Sequence, residues 1–477
     1  MAHIGRRGLV AAATGAVTAL LTAGDAAAGT STAGTSAADS PTDSATGDTM
    51  AGNPADRHMA DRHMADRHPA DRHPADRHPA GGDPAGGDPA GGDPAGGVPR
   101  RQAPRREFRG MWLATVVNRD WPSKPGLTAA RQRSELLAHL DTAVARGLNA
   151  VVLQVRPTAD ALWPSPYEPW AQCLTGTQGK DPGWDPLGTA VREAHARGLE
   201  LHAWFNPYRV ANHTDPARLT ARHPARVHPE WVLPYGGKLY YNPGLPEVRR
   251  FVQDAMLDAV ARYAVDAVHW DDYFYPYPVA GQTFKDDRAY ARYGAGFGDR
   301  AAWRRDNTDR LVKETAERIK RIRGNVRFGI SPFGVWRNAA TDPLGSDTRA
   351  GVQTYDDLYA DTRAWVERGW IDYVVPQLYW HIGHAPADYA KLLRWWDGVV
   401  RGTGVDLHIG EALYKAGDRA QPAAWQDPAE LSRHLTLARE FAGVSGHCYF
   451  SAKEVRADPI GAMTRVVADH YGRRPGK

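Results

Sequence analysis

From Glu107 onward the chain alternates short apolar runs with longer amphipathic stretches, and it does so eight times in roughly 360 residues. The strand-like runs fall at 108–115, 150–156, 199–206, 266–271, 326–332, 373–379, 407–413 and 446–451. Helical patterns lie between and after them, at 129–146, 187–197, 247–263, 303–323, 358–368, 387–400, 429–441 and 459–470. Four of these helices end in Arg-Gly, at Gly147, Gly198, Gly324 and Gly369. That is C-cap chemistry with a cation at the negative end of the helix dipole. Eight strand–helix units predict an α/β fold, a (β/α)8 TIM barrel over 106–472. A doubly wound open sheet is the alternative, but no glycine-rich phosphate loop follows the first strand.

In such a barrel, chemistry sits at the C-terminal ends of the strands, and parity along each strand selects the inward side chains. Several strands collect polar or small residues on one parity: Gln154 and Arg156; His202, Trp204 and Asn206; His269 and Asp271; Gly329 and Ser331; Gln377 and Tyr379; His447, Tyr449 and Ser451. The other parity holds residues such as Val151, Leu153, Val155, Ala203 and Phe205, which suit a helix-facing side. A barrel interior that turns polar toward its top predicts a site there. The stretch His269-Trp-Asp-Asp-Tyr-Phe-Tyr-Pro-Tyr-Pro278 is its centre, with two adjacent carboxylates ringed by aromatics. Charged carboxylates are costly in such surroundings unless they find partners or do chemistry. Parity points Asp271 inward, whereas Asp272 lies where the strand is ending.

Carboxylates, arginines, amides and many aromatic rings suit cleavage of a glycosidic bond, which needs one carboxyl group to protonate the leaving oxygen. The candidate catalytic residues are Asp271, Asp272 and Glu411, the last at the end of the seventh strand. Parity leaves Glu411 open, since His408 and Gly410 are equally eligible to face inward. Candidate substrate contacts are Arg156 and Asp160 after strand two, Asn206, Tyr208 and Arg209 after strand three, and Tyr273 beside the aspartates. Trp336 and, after strand six, Gln377, Tyr379 and Trp380 complete the set, with Trp112 a further ring able to stack on a sugar. Each also has a plainer reading: a buried Arg156–Asp160 pair bracing a loop, an Asn-Pro turn at 206, core tryptophans, and a His269 that only fills the barrel.

The remaining features mostly exclude. A net charge of +4 gives no case for nucleic acid. There is no His-Glu-x-x-His, cysteine cluster, nucleophile elbow or cofactor motif, so neither a metal nor a cofactor is expected. The segment from Asp342 to Asp347 is a weak calcium candidate that turn chemistry explains equally well. Cys173 and Cys448 are the two cysteines, and their sequence positions leave pairing open. Arg6-Arg7 precede a weakly apolar run to about Ala23, and Ala26-Ala27-Ala28 follows, which predicts a twin-arginine-like export signal over 1–28. The general secretory route is the alternative. No other run of 18 apolar residues occurs, so the mature protein is expected to be secreted or wall-associated with no transmembrane anchor. Residues 29–105 carry five Ala-Asp-Arg-His units and then Gly-Gly-Asp-Pro-Ala units. They lack the apolar surface to offset ordering entropy, and a disordered spacer is expected. Its five histidines are a loose metal-binding candidate, with a plain repeat expansion the simpler account.

Six ordered motifs carry a resemblance. Phe-Arg-Gly-Met-Trp-Leu at 108–113, Gln-Val-Arg-Pro at 154–157, His-Ala-Trp-Phe-Asn-Pro-Tyr-Arg at 202–209, Asp-Asp-Tyr-Phe-Tyr-Pro at 271–276, Ser-Pro-Phe-Gly-Val-Trp-Arg at 331–337 and Pro-Gln-Leu-Tyr-Trp at 376–380 are similar to the glycosyl hydrolase-like 10 family of bacterial cell-envelope proteins. The resemblance spans about 106–470. It implies a (β/α)8 barrel, the paired aspartates at Asp271 and Asp272, and hydrolysis of peptidoglycan glycan strands stripped of their stem peptides. Many such proteins are lipoproteins, whereas no cysteine follows the apolar run here. Relatives carry non-acidic residues where Glu411 stands. The expectation is therefore an exported glycoside hydrolase with a glycan partner. A non-catalytic glycan-binding barrel is the alternative from another class.

Overall fold

The computed structural model describes residues 107–472. The expected export signal over 1–28 and the spacer over 29–105, with its histidine repeats, lie outside the described residues. The strands in chain order are β1 (Phe108–Leu113), β2 (Ala150–Arg156), β3 (Glu200–Phe205), β4 (Arg209–Ala211), β5 (Val232–Tyr235), β6 (Lys238–Tyr241), β7 (Ala267–Trp270), β8 (Arg327–Ile330), β9 (Tyr373–Val374), β10 (Asp406–Glu411) and β11 (Val444–Tyr449). Eight of them close a barrel in the order β1, β2, β3, β7, β8, β9, β10, β11, with β11 returning to β1. All the barrel pairings are parallel, and Phe108 stands opposite Gly446 where the ring closes. This is the predicted (β/α)8 barrel.

The helices form where the periodicity predicts, at Ala129–Ala145, Pro186–Ala196, Pro246–Arg262, Arg300–Ile322, Thr362–Glu367, Tyr389–Val400, Glu430–Ala438 and Ala462–His470. Asp185, Asp299, Asp361 and Asp388 cap four of them through side-chain oxygens that accept backbone N–H bonds. Gly147 and Gly198 take the left-handed conformation expected after a helix, both at φ +70°. Gly324 does not, because the turn after that helix runs through an extended Arg323 at φ −148°. Strand six is shorter than its sequence run. Pro376 has no N–H to donate, so regular pairing stops at Val374 and continues as single bonds, Val375 N to Ile330 O at 2.8 Å and Gln377 N to Pro332 O at 3.0 Å.

Side chains on the outer parity, Val151, Leu153, Val155, Phe205, Trp270 and Ile409 among them, join the core shared with the helices. The inner parity of the lower barrel is filled by rings and small residues: Phe108, Ala150, Val152, Ala267, Tyr373 and Cys448. The Phe108 and His408 rings stack at 4.3 Å. Tyr373 lies across the inside of Gly329, where a Cβ would stand 2.1 Å from the ring.

A line of hydrogen bonds climbs this interior. Trp112 Nε1 donates to His269 Nε2 at 3.1 Å, which makes that nitrogen an acceptor and places the ring proton on Nδ1. Nδ1 then donates to Tyr373 Oη at 3.1 Å, and the Tyr373 hydroxyl donates to His202 Nδ1 at 2.9 Å. His202 Nε2 lies 3.0 Å from Glu200 Oε2 at the bottom. Burial pushes His269 well below the ordinary imidazole range, so it fills the barrel as a neutral ring.

Two expectations about facing are corrected. On β11 the inward residues are Gly446 and Cys448, followed by Phe450, and not His447, Tyr449 and Ser451. Gly446 presses on β1, where a Cβ would meet Phe108 O at 2.0 Å, while His447 and Tyr449 turn outward to Glu411 and Tyr471. On β2 the register against β3 shifts between Gln154 and Arg156, so Gln154 faces the barrel mouth and Arg156 does not.

Between β3 and the helix Pro246–Arg262 the chain inserts a three-stranded antiparallel sheet in the order β4, β6, β5. The eight-unit pattern gives no hint of it. It matters because β4 begins with Arg209.

Candidate active site

The C-terminal mouth of the barrel opens into a pocket with about 700 Å³ of empty space, part of it continuous with solvent. Its walls are the ends of successive strands and the loops that follow them. Trp112, Ala114, Val116 and Arg119 come from β1 and its loop, Gln154 from β2, and Trp204 from β3. Asp271, Asp272 and Tyr273 follow β7, and Ser331 follows β8. Gln377 and Tyr379 follow β9, Tyr414 follows β10 and Phe450 follows β11. Arg209 enters from the inserted sheet.

Asp271 is 4% exposed and held by two side-chain donors. Trp204 Nε1 donates to Oδ2 at 3.0 Å, and Asn206 Nδ2 lies 3.1 Å from Oδ1 and 3.2 Å from Oδ2. Burial pushes its pKa up to about 7; Arg209 opposes that rise, Asp272 adds to it, and the two donors hold it back. Asp272 accepts a bond from the Tyr277 hydroxyl. Burial raises its pKa too, with Tyr277 and Gln377 favouring the anion. Two carboxyls this close titrate as a pair, and the second proton is lost with difficulty. The cation that most lowers Asp271 is Arg209, whose guanidinium carbon sits 4.8 Å over the Tyr273 ring. The Arg209 Nε donates to Pro157 O at 3.3 Å, and Asn206 Oδ1 accepts from its backbone N–H at 2.9 Å. Asn206 therefore ties the carboxylate to the start of the inserted sheet.

Of the residues expected at the site, Asp271, Asp272, Arg209, Tyr273, Gln377, Tyr379 and Trp112 line the pocket together. Asn206 stands just behind as a partner of Asp271, and Trp380 packs edge-on to Phe333 at 5.5 Å, whose ring is 6.3 Å from Tyr277.

Five expected residues are placed elsewhere. Arg156 is fully buried and paired with Glu168, Nε to Oε2 at 2.6 Å and Nη2 to Oε1 at 2.5 Å; it braces the chain after β3 through Asn206 O and Pro207 O. Its acid is Glu168 rather than Asp160. Asp160 accepts from Thr158 N, Thr158 Oγ1 and Gln172 N, and so folds its own loop. Tyr208 is a fully buried core residue whose hydroxyl has no protein partner. Trp336 stacks on Trp395 at 6.0 Å and donates to Asp361, away from the pocket.

Glu411 is the fifth. Its neighbours His408 and Gly410 take the inward parity, so its carboxylate points out toward the helices. There Tyr389 Oη donates at 2.8 Å, and His434 Nδ1 and His447 Nδ1 lie at 2.8 and 3.0 Å. Burial pushes the Glu411 pKa up, but the two histidines pull it further down, to about 2. It is a fixed anion in a structural network. The Asp342–Asp347 segment is likewise occupied by turn and ion-pair contacts, Asp342 with Arg337 and Leu344 N, and Asp347 with Lys391. Cys173 and Cys448 are separate buried free thiols.

The pocket also contains residues that strand parity alone does not supply. Arg119 reaches it from a loop in which Val117 and Asn118 both take positive φ, and it is anchored by Glu454 at 3.0 Å. Tyr414 and Phe450 come from the loops after β10 and β11. The strand-end rule marks those neighbourhoods without naming the side chains.

A parallel barrel whose mouth gathers buried carboxyls, a clamped arginine and sugar-sized aromatic faces has the make-up of a glycoside hydrolase-type protein. The chain belongs to the glycosyl hydrolase-like 10 family, whose profile it matches over residues 107–427. It is 50% identical over 369 residues to glycosyl hydrolase YngK of Bacillus subtilis strain 168, covering 77% of this chain and 72% of that one. It is 41% identical over 362 residues to glycosyl hydrolase DigH of Escherichia coli strain K12, covering 72% and 82%. Among solved structures it is similar to the PgaB (BpsB) glycoside hydrolase domain from Bordetella bronchiseptica, at a TM-score of 0.49 and 14% identity, over 76% of this chain and 98% of that one.

Proposed function

We propose that the protein is an exported glycoside hydrolase that cuts glycosidic bonds in cell-wall polysaccharide, namely peptidoglycan glycan strands, with Asp271 as proton donor. The observation that carries this reading is the Asp271 carboxyl itself. It is buried at the barrel mouth, oriented by Trp204 and Asn206, and poised to hold a proton near neutral pH. A glycan strand lying across the mouth meets the Trp112, Trp204 and Phe450 rings together with the Arg209, Gln377 and Tyr379 polar groups. The rings offer stacking faces for the apolar sides of sugars, and the polar groups offer hydrogen bonds to hydroxyls. Asp272 stands beside it in the pocket wall, held by the Tyr277 hydroxyl. Export and the wall substrate rest on the N-terminal sequence and the family resemblance.

The test is release of soluble sugars from purified glycan strands stripped of stem peptides. The wild type is expected to release them, and Asp271→Asn to lose about 10²- to 10⁴-fold in kcat, the usual worth of a positioned acid. Binding of the strands by both proteins with release by neither would instead define a non-catalytic glycan-binding barrel.

A further inference from the structure

We infer that the 2-acetamido group of the sugar at the bond to be cut supplies the nucleophile through its own carbonyl oxygen. This rests on the hydrolase reading above and goes beyond it by naming the attacking atom.

The argument begins with what faces the reacting carbon. Among the described residues lining the pocket, Asp271 and Asp272 are the only carboxylates. They are sequence neighbours at the end of a single strand, so their Cα atoms are about 3.8 Å apart and both approach a sugar from one wall. A glycosidase with an enzyme nucleophile, or one with a general base, needs a second carboxylate facing the first across the anomeric carbon. The acid at the end of β10, Glu411, was the candidate for that wall, and it points away with three partners. Tyrosine does not replace it. Burial holds Tyr273 and Tyr379 as phenols, with pKa values raised above the ordinary range. The enzyme side thus supplies a proton donor and one neighbouring carboxyl group but no opposed nucleophile.

The pocket is nevertheless built for a particular substituent. Trp112, Ala114, Val116 and Trp204 give the pocket apolar surface, with the Gln154 amide among them. An acetamide methyl gains from such surface in a way a sugar hydroxyl does not. Asp272, held by the Tyr277 hydroxyl, is a pocket-lining carboxylate able to accept a bond from an amide N–H.

The step balances. The acetamido oxygen attacks the anomeric carbon, the bond to the leaving sugar breaks, and the leaving oxygen takes the Asp271 proton. Asp272 accepts a hydrogen bond from the amide N–H as positive charge develops, giving a cyclic oxazolinium ion that keeps its N–H. Water then adds to the anomeric carbon and gives a proton to the Asp271 carboxylate. The ring opens and restores the acetamide, so one water is consumed per bond cut. Two displacements at one carbon retain the anomeric configuration.

The experiment compares peptide-free glycan strands in their N-acetylated form with the same strands after chemical N-deacetylation, and follows the first-formed reducing end by proton NMR. The expected result is release from acetylated strands with retained configuration, and a fall in kcat of at least about a thousandfold on deacetylated strands, since an intramolecular nucleophile is lost. Comparable kcat on both substrates, or an inverted first product, overturns the inference and leaves the hydrolase reading standing. Release from neither substrate removes the hydrolase reading, and the inference falls with it.

Discussion

Replacing Trp204 with phenylalanine isolates one hydrogen bond. The ring stays in the pocket wall, but the indole N–H that donates to Asp271 Oδ2 at 3.0 Å is gone. A bond to a charged acceptor is worth about 1.5–3 kcal/mol net. The lower end applies here, because Asn206 still serves both carboxylate oxygens. At 1.36 kcal/mol per unit, about 1.5 kcal/mol corresponds to roughly one pKa unit. The donor stabilises the anion, so its loss raises the pKa of Asp271, from about 7 to roughly 8. If Asp271 is the proton donor, activity on the alkaline side is lost as it deprotonates. The alkaline limb of kcat/KM against pH, which reports the free enzyme, therefore moves up by about one unit in Trp204→Phe. Altered stacking changes the height of the profile without moving its limb. A limb that stays in place, or shifts toward acid, refutes the assignment of the donor to Asp271.

Three further outcomes follow from the geometry. Glu411→Gln breaks a buried charge cluster and should cost about 3 kcal/mol in urea unfolding while leaving the kcat of the folded fraction unchanged; a large loss of kcat in protein still folded would restore Glu411 to the chemistry. Asp271→Asn should gain stability over wild type at pH 8 and not at pH 4. The raised carboxyl keeps a proton in the folded state that the unfolded chain gives up, so wild-type stability falls as pH rises from about 4 to about 7; equal stabilities at pH 8 would contradict this. Gly329→Ala drives a methyl into the Tyr373 ring from 2.1 Å and should lower stability by about 1–3 kcal/mol, measured by thermal unfolding, with an unchanged midpoint counting against the packing described.

The sequence was most legible where strands are regular. Period-two alternation placed Gln154, Trp204, His269, Asp271 and Ser331 on the inner side because β2 up to Gln154, β3, β7 and β8 run without interruption. It failed where local geometry broke the alternation. The shift after Gln154 carries Arg156 out of the mouth, and polarity misled at β11, where small Gly446 and Cys448 are inward because Phe108 already fills that space. Polar His447 faces outward because an acid waits for it on the helix side. The inserted sheet leaves no periodic signal, since its strands are three and four residues long and sit between two stronger patterns. Arg119, Tyr414 and Phe450 depend on loop conformation, which no spacing rule encodes.

Arg209 belongs to that inserted sheet and not to the barrel wall. The positive charge that counts most for the acidity of Asp271 is therefore mounted on a small appendage, while the carboxyl is mounted on the rigid cylinder. Asn206 bonds both to that carboxyl and to the backbone of Arg209, so the spacing between the two charges is set through a single amide side chain.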